Sequence, residues 1–123
     1  MGDPRHELGL AAEHAVAEWL TSHHWRILAT RFRSPEGEVD LVALDPSRCL
    51  VGVEVRLRRS GRTGDPLASV RPRHLRRVSS ALAAFARGAA IGHVGLRIDL
   101  VSVVPGPRPR TWRLTRLPAV GEG

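Results

Sequence analysis

Apolar positions recur at helical spacing over the first twenty residues. Leu8, Ala12, Ala15, Val16, Trp19 and Leu20 share one face of a segment from Pro4 to about His23, with Asp3 in the capping place and Pro4 pre-set for the first turn. This predicts an amphipathic helix. The period then changes to two: "WRILATRFR" reads as a short strand, "SPEG" as a turn, and "EVDLVALD" and "CLVGVEVRLR" as two strands separated by "PSR", a spacing that suits an antiparallel hairpin. A loop rich in Gly and Arg, "RSGRTGDP", follows, with Gly61 and Gly64 read as hinges. Leu75, Val78, Leu82 and Phe85 then form the stripe of a second helix from Pro72 to Arg87, with Gly88 as its stop. "LRIDLVSVV" predicts a strand, and "TWRLTRL" an edge strand after the bend "PGPRP".

The order α-β-β-β-α-β-β predicts an α/β fold, a mixed twisted sheet flanked by helices. The 123 residues suit one domain, here 1–123 with a core of about 4–117 and a fraying tail at 118–123. Hairpin register follows from burial. Residues two apart share a face, so Glu38 and Asp40 oppose Val39, Leu41 and Ala43, while Glu54 and Arg56 oppose Val51, Val53, Val55 and Leu57. A three-residue loop, Pro46 to Arg48, sets Asp40 opposite Glu54 and puts both apolar faces on one side; a slip of one residue would separate them.

That register gathers Glu38, Asp40 and Glu54, with Glu13 at the edge of the first helix's stripe. Two unit charges about 4 Å apart repel by roughly 4 kcal/mol at an effective dielectric near 20, so a cation must offset them. Arg56 and a divalent metal are the candidates. The residues alone leave a simpler alternative open: an edge-strand ion pair between Glu54 and Arg56, with Glu38 and Asp40 solvated beyond the turn.

Composition adds a basic partner surface. Formal charge is +7, carried by nineteen arginines and no lysine, which favours polyanions such as nucleic acid over an anionic membrane surface. Arg71, Arg73, Arg76 and Arg77 lie mostly off the second helix's stripe and, with Arg58, Arg59 and Arg62, could track a phosphate backbone. Three Trp and two Phe, with no Tyr, disfavour recognition of single strands by base stacking. Cys49, the lone cysteine, fits a reducing cytoplasm. No apolar run reaches membrane-spanning length and no export signal opens the chain, so a cytoplasmic location without membrane attachment is expected. A zinc site, a nucleotide-binding glycine loop and a Ser-His-Asp arrangement all lack the necessary spacing.

Taken together, "GLAAEHAVAEWL", "WRILATRFRSPEGEVDLVALD", "LVGVEVRLRRS", "GDPLASVRPRHLRRV" and "RIDLVSV" resemble the YraN family. That family is similar to the PD-(D/E)xK nuclease superfamily and to archaeal Holliday-junction resolvases. The likeness spans about Gly9 to Val103 and implies a restriction-endonuclease-like fold. Its helix-borne acid falls on Glu13, its sheet aspartate on Asp40, its ExK glutamate on Glu54 and the motif's lysine on Arg56; a further basic position, usually lysine, falls on His74. The resemblance implies metal-assisted phosphodiester hydrolysis on DNA, branched or damaged, with Asp40, Glu54 and the Val55 carbonyl holding Mg²⁺ or Mn²⁺. Related resolvases often work as homodimers. Arg56 and His74 depart from the pattern, which gives the alternative of a catalytically impaired nuclease-fold module that binds nucleic acid or another protein. A third reading is an interaction protein whose acidic pocket is purely structural.

Overall fold

A computed structural model describes residues 4–59 and 66–121. Asp3, Gly61, Arg62 and Gly64 lie outside the described residues. The first helix, α1, runs Pro4–Ser22 and buries Ala12, Val16 and Leu20. Leu8 is 44% exposed and borders a cleft with Leu57 and Pro105. The helix ends with His24 in the left-handed region (φ 69) and the Trp25 N–H donating to the Leu20 carbonyl at 3.0 Å, a return bond that satisfies an orphan carbonyl.

Five strands follow the expected order: β1 (Arg26–Ser34), β2 (Gly37–Leu44), β3 (Leu50–Leu57), then α2 (Pro72–Gly88), β4 (Leu96–Pro105) and β5 (Trp112–Leu117). They form one sheet in the spatial order β1-β2-β3-β4-β5. The pairs are antiparallel except for β3 with β4, which is parallel. A parallel pair needs a crossover, and α2 lies in it.

The helices cover opposite faces. On one side Ala12, Val16 and Leu20 of α1 pack with Leu41, Ala43, Val51, Val53, Val101 and Val103; on the other, Val78, Ala81 and Leu82 of α2 pack with Val39, Val42, Leu50 and Leu100. Burying each Val or Leu fully is worth about 1.5–3 kcal/mol, so these few positions suffice to dock each helix. Gly37 fixes where α2 sits, since a Cβ there would collide with the Arg77 backbone carbonyl. β5 is an edge strand, as its sequence predicts.

Two expectations need correction. β3 is not an edge strand but the centre of the sheet, so Glu54 and Arg56 project from an interior position. The chain from Pro118 to Gly121 does not fray: Val120 is buried, its N–H donates to the Ile98 carbonyl at 2.8 Å, and the Ala119 N–H donates to Asp99 Oδ1 at 3.0 Å. A buried carboxylate needs donors, and the tail supplies one.

Candidate functional site

The register of β2 and β3 is the one burial selects, with Leu41 opposite Val53 and Ala43 opposite Val51. The ladder stops at Leu41 and Val53. At the next step the side chains replace the backbone: Glu54 Oε1 accepts the Asp40 N–H at 3.2 Å, and Asp40 Oδ2 accepts the Val55 N–H at 2.8 Å. The strands thus part around a carboxylate pair. On the far side, the pairing of β1 with β2 passes from Thr30–Leu41 to Phe32–Val39, and Arg31 between them sits in the left-handed region (φ 52). This local twist explains why Val39 joins the α2 face when simple alternation would put it with Leu41 and Ala43.

Both helices reach the gap. From α2, His74 Nε2 lies 2.6 Å from Glu54 Oε2, and this contact replaces the expected pairing of Glu54 with Arg56; no Glu54–Arg56 ion pair occurs among the described residues. From α1, Glu13 pairs with Arg31 (Oε1 to Nε, 3.4 Å) and lies close enough for Asp40's charge to act on it. Glu38 is exposed and pairs with Arg33 at 3.2 Å, so its carboxylate is engaged outside the Asp40–Glu54 pair, while its charge still acts on Asp40. Asp40 also borders a small hollow of about 70 Å³ with Arg31, Arg33, Glu38 and Val39.

The shared negative charge is visible in the acids' protonation. Burial, then Asp40's charge, pushes Glu54 up to about 6, against the opposing hydrogen bonds from His74 and the Asp40 N–H. Burial also raises Asp40, opposed by the Val55 N–H and by the charges of Arg56 and His74, with a smaller upward push from Glu38's charge. Glu13 is raised by burial and by Asp40, and held back by Arg31. Desolvation and like charge disfavour the ionised forms; a bound cation would reverse that balance.

Oxygen donors suit a hard divalent cation. Three of the four carboxylate oxygens already accept a hydrogen bond or contact His74, and Asp40 Oδ1 is the fourth. In an extended strand N–H and C=O of one residue leave on the same edge, so the Val55 carbonyl faces the gap with its N–H. Among the described residues no three His, Cys, Asp or Glu side chains converge on one point. A cation here would rest on Asp40, Glu54 and that carbonyl, with water completing its shell, a donor set that fits Mg²⁺ because it keeps several waters and takes one or two carboxylates.

Beside the pair opens a cleft of about 380 Å³ lined by Arg56, Arg71, Arg73, His74 and Arg77. The Nε of Arg56 is buried without a hydrogen-bond partner. Arg58 and Arg59 line a different cleft with Arg5, Leu8, Leu57 and Pro105, and Arg76 is exposed on α2. The sequence-predicted basic residues are therefore divided between surfaces.

Sequence reasoning passed over a second buried charge network. Asp99, fully buried, receives Arg97 through Nε and one NH₂ group (2.8 and 3.0 Å) and Arg116 at 2.8 Å. Arg97 also reaches Asp45 at 2.9 Å, and both guanidiniums lie over the Trp25 ring. The alternation of Arg97 and Asp99 in "LRIDLV" was the available signal. Every partner is satisfied, so the network fastens β4, β5 and the β2/β3 turn.

Fold and site together define a small mixed α/β protein with an interior carboxylate pair and a basic cleft. Residues 12–103 match "Uncharacterised protein family UPF0102", and the chain belongs to that family, the family of YraN. Among its relatives, a UPF0102 protein of Anaeromyxobacter dehalogenans is 41% identical, covering 99% of this chain and 89% of its own. One from Renibacterium salmoninarum is 38% identical over 90% of this chain and 95% of its own; another from Symbiobacterium thermophilum is 38% identical over 84% and 86%. No helix among the described residues is long and apolar enough to cross a membrane.

Proposed function

We propose that the protein is a metal-dependent endonuclease of the PD-(D/E)xK type, hydrolysing phosphodiesters in branched or damaged DNA in the cytoplasm. The observation that carries this reading is the reciprocal hydrogen bonding of Asp40 and Glu54 across the parted strands, beside a cleft of arginines. Helices on both faces of a mixed sheet, in the order α-β-β-β-α-β-β, support the restriction-endonuclease-like fold that the sequence resemblance implies.

Asp40, Glu54 and the Val55 carbonyl would hold Mg²⁺ or Mn²⁺. Such an ion lowers the pKa of a bound water and stabilises charge on the scissile phosphate. The chain's own groups prepare that step. The Val55 N–H fixes Asp40 Oδ2, which leaves Oδ1 without a hydrogen bond among the described residues, and His74 holds Glu54 Oε2. Arg56 stays protonated and cannot act as a base, but its fork can grip a phosphate oxygen. Glu13, on which Asp40's charge acts, would add to the negative potential that attracts a cation.

A second reading, a nuclease-fold module that binds DNA without cutting it, is favoured by Arg56 at the motif's lysine position and by His74 on Glu54 Oε2. Incubating the protein with flap, four-way-junction and single-stranded DNA in Mg²⁺ or Mn²⁺ separates the two. Cleavage by the wild type that is lost in both Asp40→Ala and Glu54→Ala is the expected result. Cleavage that survives both changes overturns the nuclease reading, and binding without cleavage selects the second.

A further inference from the structure

The arginines of the cleft share one hollow whose lining contains no carboxylate. Arg31, Arg33, Arg87, Arg97 and Arg116 each reach a carboxylate. Among the described residues Arg56, Arg71, Arg73 and Arg77, which line one cavity of about 380 Å³, form no ion pair. Four guanidiniums around one hollow repel each other, and the buried Nε of Arg56 has no acceptor. The start of α2 adds to the field: Arg71 makes no side-chain cap and Pro72 begins the helix, so the first-turn N–H groups have no intrahelical acceptor.

We infer that this cleft binds a terminal phosphomonoester, the phosphate at the end of a nucleic-acid strand. The inference rests on the nucleic-acid reading above for the source of that phosphate. Charge selects the class of anion. An internal diester carries one negative charge, whereas a phosphomonoester carries about −1.5 to −2 at neutral pH and three strong acceptor oxygens, a better match to four unpaired guanidiniums that can each donate in a fork. The neighbouring charges favour the end of a strand. The cavity is of small-ligand size, where such sites span about 300–1,000 Å³. His74, which lines the cleft, also contacts Glu54, so the paired carboxylates adjoin it and repel a continuing run of phosphates in the absence of a cation. A strand end can enter and stop there.

Binding measured in EDTA tests this without any cleavage. Fluorescence anisotropy compares single-stranded oligonucleotides of one sequence that carry a 5′-phosphate, a 3′-phosphate or hydroxyls at both ends, with inorganic pyrophosphate as a competitor. One phosphorylated end should bind at least about tenfold more tightly than the hydroxyl-ended strand, the size expected for new charge-assisted hydrogen bonds. The double variant Arg73→Gln/Arg77→Gln, at exposed positions with circular dichroism to verify folding, should erase that preference. Equal affinity for all three strands overturns the inference in favour of internal diesters. Pyrophosphate binding more tightly than the phosphorylated strand overturns it in favour of a small free anion. End preference without metal-dependent cleavage defeats the nuclease reading alone, and cleavage without end preference defeats this inference alone.

Discussion

Asp40 and Glu54 each complete the other's strand. The Glu54 carboxylate takes the Asp40 N–H, and the Asp40 carboxylate takes the N–H of the residue after Glu54. The gap between β2 and β3 therefore contains two acids whose positions are set by backbone as well as by side-chain packing. Local rigidity of that kind is what a site for a charged ligand requires.

The protonation of Glu54 makes folding stability depend on pH. Its folded pKa of about 6 exceeds its ordinary value of 4.5, so the folded state holds the proton more tightly. Its contribution is fully present below pH 4.5 and is lost as pH rises through about 6. The shift corresponds to about 2 kcal/mol. Glu54→Gln, which keeps an acceptor for the Asp40 N–H, should raise the melting temperature by several degrees at pH 8 in EDTA and change it little at pH 4; thermal melts across that range provide the check.

Arg56 carries a buried donor without a partner, and an unsatisfied buried group costs about 1–3 kcal/mol. Arg56→Lys removes the Nε while keeping the charge beside Asp40. Its denaturation midpoint in urea, measured without phosphate, should rise. A midpoint that falls would mean that guanidinium packing outweighs the stranded donor.

Two glycines should respond in opposite directions. Gly37→Ala drives a methyl into the Arg77 backbone and should cost about 1–3 kcal/mol, the usual penalty for overpacking, while displacing α2 and weakening anion binding in the cleft. Gly9 lies within α1 with nothing near its missing Cβ, so Gly9→Ala should gain about 0.5–1 kcal/mol from helix propensity. Chemical denaturation of the pair distinguishes crowding from a general effect of losing glycine.

Asp99→Ala strips the charge that Arg97 and Arg116 share, leaving Arg116 without its carboxylate and Arg97 with Asp45 alone, beside Trp25. Breaking a buried pair in this way costs about 3–5 kcal/mol. The expected result is a large loss of stability, read by denaturation, with oligonucleotide affinity preserved in the fraction that remains folded.

Much of this architecture is legible in local periodicity. The helices and strands follow from apolar spacing, and the hairpin register follows because only one alignment buries Leu41 and Ala43 with Val51 and Val53. The rest depends on distant parts of the chain. β3 reads as an edge strand until β4 arrives beside it through the α2 crossover. Val39 changes face because Arg31, on the neighbouring strand, takes a left-handed backbone that its residue type does not announce. His74 finds Glu54 across twenty positions only because Gly37 lets α2 lie close to β2. The tail "PAVGEG" has the composition of a frayed end, yet Asp99 recruits the Ala119 N–H.

That last bond has a consequence for synthesis. As the polypeptide leaves the ribosome, Asp99 is translated twenty positions before the amide that will complete its shell, and ahead of Arg116 as well. Until both emerge, burying that carboxylate would leave it short of donors, so the nascent β4 should stay solvated. The sheet then closes from its late-made side, with β5 and the segment after it acting as the final fastener.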